Sequence, residues 1–176
     1  MNITKTKVES LAQTVFSHGA LNNRFYQRWL NETLTFAEVE VFARNYWART
    51  RRTATMVALS LLRANTLQAR VEIVKNLYSE LGGGDVHKAH SALLQRYLLD
   101  LLSRLAKRPY SLQELEAGPL LASTQLFIDE QDALYAPHGL GRSESHVLGA
   151  LLAQEWLAYS MLTRLYEGAR NYQYAY

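Results

Sequence analysis

Residues 76–97 read NLYSELGGGDVHKAHSALLQRY, and this stretch decides the fold. Glu80 closes an apolar helix, and His90 lies in the first turns of the next helix. Between them, Gly82, Gly83 and Gly84 allow a tight reversal, because glycine adopts positive φ angles without a steric penalty. We therefore expect a helix pair with a carboxylate and an imidazole at the same end, which is how metal sites in helical bundles begin.

Helical periodicity extends outward from this junction over most of the chain. Two predicted capping boxes, Thr35 with Glu38 and Ser111 with Glu114, each open a helix. The predicted helices cover about 5–17, 20–31, 35–62 with a kink near Thr50, 66–81, 85–107, a short segment after 111, 119–136 and 143–172. Strand patterns are nearly absent and residues 137–141 are a predicted loop. The sequence therefore predicts an all-α bundle, with residues 1–176 forming a single domain.

Composition narrows the classes of function. The 176 residues are 48% apolar and 20% charged, which is ordinary for a soluble globular protein. There is no cysteine, so disulfides, thiolate nucleophiles and thiolate-bound metals are excluded. Any metal must bind oxygen and nitrogen ligands, which suits iron, manganese or zinc.

Charge and hydropathy narrow the classes of partner. The net charge of +3 comes without a long basic run, which argues against a nucleic-acid partner. The chain contains no run of eighteen apolar residues, so the sequence predicts no membrane span. The amino terminus has no apolar signal core. We expect a cytoplasmic protein that contacts neither nucleic acid nor membrane.

Glu155 interrupts an apolar pattern on the last helix. The positions three, four and seven residues away are all apolar: Leu148, Leu151, Leu152, Ala158, Tyr159 and Leu162. This spacing predicts that Glu155 lies at the centre of the buried face. A buried carboxylate needs a proton, a partner or a cation. His90 repeats the pattern and Glu80 follows it less cleanly, so Glu80, His90 and Glu155 are three potential metal ligands.

Simpler explanations compete with a metal site. A lone inward histidine is more often a hydrogen-bonded core residue, and a lone inward glutamate more often pairs with an arginine. Glu80, His90 and Glu155 would then form a buried hydrogen-bond network with Arg63 or Arg104. His87, three residues before His90, is a reserve ligand that is more simply explained as an exposed residue.

The stretch from Asn76 to Gly84, followed by His90-Ser-Ala-Leu-Leu-Gln-Arg-Tyr97, resembles the haem-oxygenase-like di-iron oxidases, and their CADD-like branch in particular. The segment that ends in Gln154-Glu155 resembles the one that supplies their next carboxylate. The resemblance covers about residues 20–172. It implies a haem-oxygenase-like multi-helix bundle with iron bound by Glu80, His90 and Glu155, and two non-haem iron ions in a complete site.

The resemblance has one departure. Members of that family complete the metal site with an aspartate and a histidine on a further helix, whereas this chain ends at Tyr176, where that helix would begin. Either this sequence lacks a carboxyl-terminal portion of the protein, or this member of the family has lost it. In both cases we expect this chain to form a bundle without its last helix, with a metal site that lacks part of its ligand set and can lack iron.

Other branches of the same fold fit the residues less well. The thiaminase-like branch needs a cysteine, and haem oxygenase proper needs a histidine on its first helix, where His18 stands at a helix end. The pyrroloquinoline-quinone synthase branch binds its substrate without metal. For that branch, Arg49, Arg51, Arg52 and Tyr46 could clamp an anionic substrate.

The resulting hypothesis is a non-haem iron, oxygen-dependent oxidoreductase that acts on a small organic molecule or on its own side chain, with dioxygen as co-substrate. Tyr97 and Tyr159 are the candidate oxidisable side chains, and core packing is their simpler role. The alternative is a metal-free bundle that binds a small molecule or another protein. A homodimer is compatible with either function.

Overall fold

The computed structural model describes residues 3–136 and 143–172. Over these ranges the chain is helical and contains no strand, which confirms the all-α prediction. The α-helices are α1 (Ile3–Ser17), α2 (Arg24–Asn31), α3 (Phe36–Thr50), α4 (Thr53–Leu61), α5 (Leu67–Glu80), α6 (His90–Ala106), α7 (Leu112–Ala117), α8 (Ala122–Tyr135) and α9 (Glu144–Ala169). The predicted loop 137–141 lies outside the described residues.

Both predicted capping boxes are present. Thr35 caps α3 and Ser111 caps α7, and in each case the glutamate three residues later returns a bond to the backbone of the cap. The second predicted helix begins later than expected. It starts at Arg24 rather than at residue 20, because the Asn23 side chain accepts a hydrogen bond from Tyr26 N and caps α2 there.

Two further predictions about helix ends are corrected. The kink near Thr50 is a break, since α3 ends at Thr50 and α4 begins at Thr53. The long helix predicted from residue 85 begins later, because Asp85 caps only a single 3₁₀ turn, Val86–Lys88, by accepting a hydrogen bond from His87 N. The helix α6 then begins at His90.

The described residues fall into two compact units. One unit spans residues 35–148 and has a core of large apolar side chains from α3, α4, α6 and α7: Val39, Trp47, Met56, Val57, Leu98, Leu101, Leu102 and Leu115. The other unit joins residues 1–34 with 149–176. The single-domain assignment stays a prediction.

The second unit is held together by α2 and the carboxyl-terminal half of α9. The fully buried Trp29 donates from Nε1 to the carbonyl oxygen of Leu165 at 3.1 Å. At Gly168, an added Cβ would lie 2.1 Å from the Trp29 ring, so only glycine admits this approach. Beyond α9, the Tyr172 hydroxyl accepts a 2.9 Å hydrogen bond from Leu34 N.

None of the helices among residues 3–136 and 143–172 combines the length and apolar character needed to cross a membrane.

Candidate metal centre

Glu80 and His90 meet at the junction of α5 and α6. Glu80 is the last residue of α5 and His90 the first residue of α6. Glu80 Oε1 lies 3.0 Å from His90 Nδ1. The glutamate side chain is only 11% exposed, whereas the histidine side chain is 54% exposed. The carboxylate is therefore held inside the junction while the imidazole extends from it toward solvent, so the prediction that His90 lies on a buried face is wrong.

The glycine run explains why these two side chains meet. All three glycines have positive φ angles, which turn the chain sharply after α5. An added Cβ at Gly82 would lie 2.5 Å from the backbone nitrogen of Ala89, so the two arms of the junction touch at this point. Arg96 Nη2 donates to the carbonyl oxygen of His87 at 2.7 Å and ties the connection to α6.

The separation of the two side chains fits two kinds of interaction. First-row metal ions bind oxygen and nitrogen ligands at about 2.1 Å, so two adjacent ligands at a right angle lie about 3 Å apart. The 3.0 Å between Oε1 and Nδ1 matches that spacing, and it is equally the length of a direct hydrogen bond. The donor atoms, a carboxylate oxygen and an imidazole nitrogen, are of the type that iron accepts.

Glu155 lies on α9, in the unit formed by residues 1–34 and 149–176. The prediction that it occupies the centre of the buried face is wrong. Tyr159 and Leu162 are 78% and 55% exposed, and Glu155 itself is half-buried. The buried positions of α9 form a neighbouring stripe, at Val147, Leu151, Leu165 and Ala169. Its role as a ligand stays a prediction.

Across residues 3–136 and 143–172, no three histidine, aspartate or glutamate side chains approach closely enough to hold a metal ion together. His87, the reserve ligand, is exposed beside the junction. The described part of the chain thus brings together one carboxylate and one imidazole of the predicted set.

The two candidate tyrosines differ in their surroundings. Tyr97 lies on α6, seven residues after His90, and its hydroxyl oxygen is buried. Tyr159 is 78% exposed on α9. The two side chains therefore differ in exposure, and the oxidisable or hydrogen-bonding role of either one stays a prediction.

The arginines at the end of α3 and in the break after it do not form together the anion clamp considered for the pyrroloquinoline-quinone synthase branch. Arg51 forms a 2.5 Å ion pair with Glu116 of α7, and Arg52 pairs with Asp132 of α8. Arg49 alone is different, since its guanidinium lies against aromatic rings. Sequence spacing missed this difference, because the pairing carboxylates lie 65 and 80 residues away along the chain.

The all-α fold, with a carboxylate and an imidazole at a glycine-rich helix junction, defines a helical bundle of the haem-oxygenase-like class. A family model of the haem-oxygenase type, described as an iron-containing redox enzyme, matches residues 40–175. The match spans most of the chain and includes Glu80, His90 and Glu155, so the protein belongs to this family of iron-containing redox enzymes. Among curated proteins, none matches the chain.

Proposed function

We propose that the protein is a non-haem iron oxidase or oxygenase that uses dioxygen to oxidise a small organic molecule. The observation that carries this proposal is the 3.0 Å approach of Glu80 Oε1 to His90 Nδ1 at the end of the α5–α6 pair. Membership of a family of iron-containing redox enzymes supports iron as the metal.

Glu80 and His90 would supply one oxygen and one nitrogen donor, and Glu155 would supply a second carboxylate. We propose two iron ions in the complete site. Iron held there would supply one-electron chemistry through its Fe(II)/Fe(III) couple, and carboxylate and imidazole ligands would leave coordination positions open for dioxygen. The 3₁₀ turn, held by the contact of Arg96 with the His87 carbonyl oxygen, fixes where α6 begins and so places His90 beside the nearly buried Glu80 carboxylate.

A second candidate is a metal-free bundle that binds a small molecule or another protein. The same 3.0 Å contact favours it, because a direct Glu80–His90 hydrogen bond satisfies both side chains without a cation. In this case His90 stabilises the helix junction and takes no part in binding iron.

Iron binding separates the two candidates. The full chain is loaded with ferrous iron under anaerobic conditions and desalted, and its metal content and absorption spectrum are measured. We expect up to two iron ions per chain without a haem absorption band. Glu80→Gln and His90→Ala should each lower the iron content at least tenfold, because each substitution removes one of the proposed iron ligands. Glu155→Gln tests the third ligand.

His146→Ala is the matched control, since His146 is an exposed histidine of α9 whose Nδ1 contacts the Ser143 hydroxyl at 2.8 Å. It should bind iron as the wild type does. The proposal fails if the wild type retains no iron, or if Glu80→Gln and His90→Ala, both folded by circular dichroism, retain it in full. A loss of stability in His90→Ala with no iron in the wild type would establish the metal-free candidate.

A further inference from the structure

Most of the arginines along α3 and the break after it are neutralised by acidic side chains of the 35–148 unit. Arg44 lies 3.4 Å from Glu40, and Arg51 and Arg52 pair with carboxylates of α7 and α8. The Arg44 pair lies within α3, whereas the Arg51 and Arg52 pairs join the end of α3 to α7 and α8. They leave Arg49 to be explained.

Arg49 is held by aromatic rings instead. Its guanidinium carbon lies 5.9 Å from the ring centre of Tyr46 and 5.4 Å from that of Phe127 on α8. Within the described residues, these ring contacts and the electrostatic effect on Tyr46 are all the interactions that Arg49 makes. Ring faces attract a cation, but they leave the five N–H donors of a guanidinium without acceptors.

The surroundings of Arg49 are apolar on the side of α3. The Tyr46 ring stacks on Phe42 with ring centres 5.4 Å apart. Burial raises the pKa of Tyr46, despite the opposing charge of Arg49, so the phenol stays neutral. A half-buried cation with unused donors therefore faces an aromatic wall that carries no charge of its own.

We propose that Arg49 binds the carboxylate of a small organic ligand whose apolar body packs against Phe127 and Tyr46. The planar guanidinium matches a carboxylate with two parallel hydrogen bonds, which the three paired arginines are not free to offer. All the residues of this anion site lie on α3 and α8. The site goes beyond the proposed iron chemistry and does not depend on it.

The test is calorimetric titration of the metal-free full chain with benzoate and with benzamide, which have the same shape and differ in charge. We expect benzoate to bind at least tenfold more tightly than benzamide. Arg49→Gln should weaken benzoate binding at least tenfold, because a charge-assisted hydrogen-bonded pair is removed. Arg51→Gln is the matched control and should bind benzoate as the wild type does, since Arg51 is occupied by Glu116.

Arg49→Lys keeps the positive charge but loses the planar guanidinium with its two parallel N–H donors. It should therefore bind benzoate several-fold more weakly than the wild type while folding normally. It replaces Arg49→Gln as the deciding variant if the latter does not fold. The proposal is overturned if the wild type does not bind benzoate, if it binds benzamide equally well, or if the Arg49 variants bind as the wild type does. If inorganic phosphate binds as tightly as benzoate, the claim that an apolar ligand body packs against Phe127 and Tyr46 is overturned.

Discussion

At the scale of single residues, the missing side chain of Gly82 lets the two arms of the junction between Glu80 and His90 touch. An alanine there would combine an unfavourable positive φ of 78° with a Cβ placed 2.5 Å from Ala89 N. Because the obstructing atom belongs to the backbone, the connection must shift and separate the two side chains. We expect Gly82→Ala to lower the free energy of unfolding by about 1–3 kcal/mol beyond the cost of the φ angle, measured by urea denaturation.

Gly83→Ala is the control for that substitution. Gly83 also has a positive φ of 65°, but an added Cβ would meet only the Tyr78 ring at 3.8 Å, an ordinary contact. Gly83→Ala should lower the free energy of unfolding only by the cost of the positive φ angle, about 1–2 kcal/mol. Equal losses in the two variants would show that the contact between Gly82 and Ala89 does not determine the geometry of the junction.

The meeting of Glu80 with His90 could be predicted because it follows from local chemistry, a glycine-rich reversal between two helices. The position of Glu155 outside the buried face of α9 could not be predicted. The helix α9 carries apolar residues around much of its circumference, so spacing alone does not determine which stripe faces inward. The structure buries the stripe through Val147 and Leu165 and leaves Tyr159 and Leu162 exposed.

At the scale of secondary-structure elements, the short helix α7 is fixed at its amino terminus by charge. Glu114 accepts from the Ser111 backbone and hydroxyl at 2.9 Å each, and Arg108 pairs with it at 2.7 Å. The Arg108 guanidinium, followed by the Ser111 bonds, lowers the pKa of Glu114 from 4.5 to about 2. A lowered pKa in the folded state means that the contact stabilises the protein above about pH 4.5 and that the stabilisation is lost as the pH falls through about 2.

Glu114→Gln keeps a side-chain oxygen for the cap but removes the charge. We therefore expect the difference in melting temperature between wild type and Glu114→Gln to be constant above about pH 5 and to shrink toward pH 2. Arg108→Gln should show the same trend, because it removes the first cause of the pKa shift. A difference that is unchanged between pH 7 and pH 2.5 would contradict this account.

Capping boxes could be predicted from sequence because their two partners lie three residues apart. The sequence predicts a kink near Thr50 but not a full break between α3 and α4, where Arg51 and Arg52 pair with Glu116 and Asp132, which are distant in sequence. The same limit applies to Arg49, whose ring contact with Phe127 joins α3 to α8.

At the scale of the whole molecule, the amino-terminal 34 residues and residues 149–176 belong to one compact unit, although they are far apart in the chain. Within it, α2 supplies Trp29, which contacts Leu165 and Gly168 of α9. The Asn171 side chain donates to the carbonyl oxygen of Trp29 at 3.0 Å. The carboxyl-terminal half of α9 thus depends on a segment from the opposite end of the chain.

Deleting residues 1–34 should therefore release the carboxyl-terminal half of α9 while the 35–148 unit keeps its own core. In hydrogen–deuterium exchange, we expect protection to fall in residues 160–172 and to stay unchanged in α3 and α6, where Val39, Leu98 and Leu101 are fully buried. Deleting only residues 1–17 is the control, because it removes α1 and leaves Trp29 in place. Full protection of residues 160–172 after the longer deletion would show that contacts other than those with α2 hold this part of α9, and equal losses in both deletions would assign the stabilising role to α1.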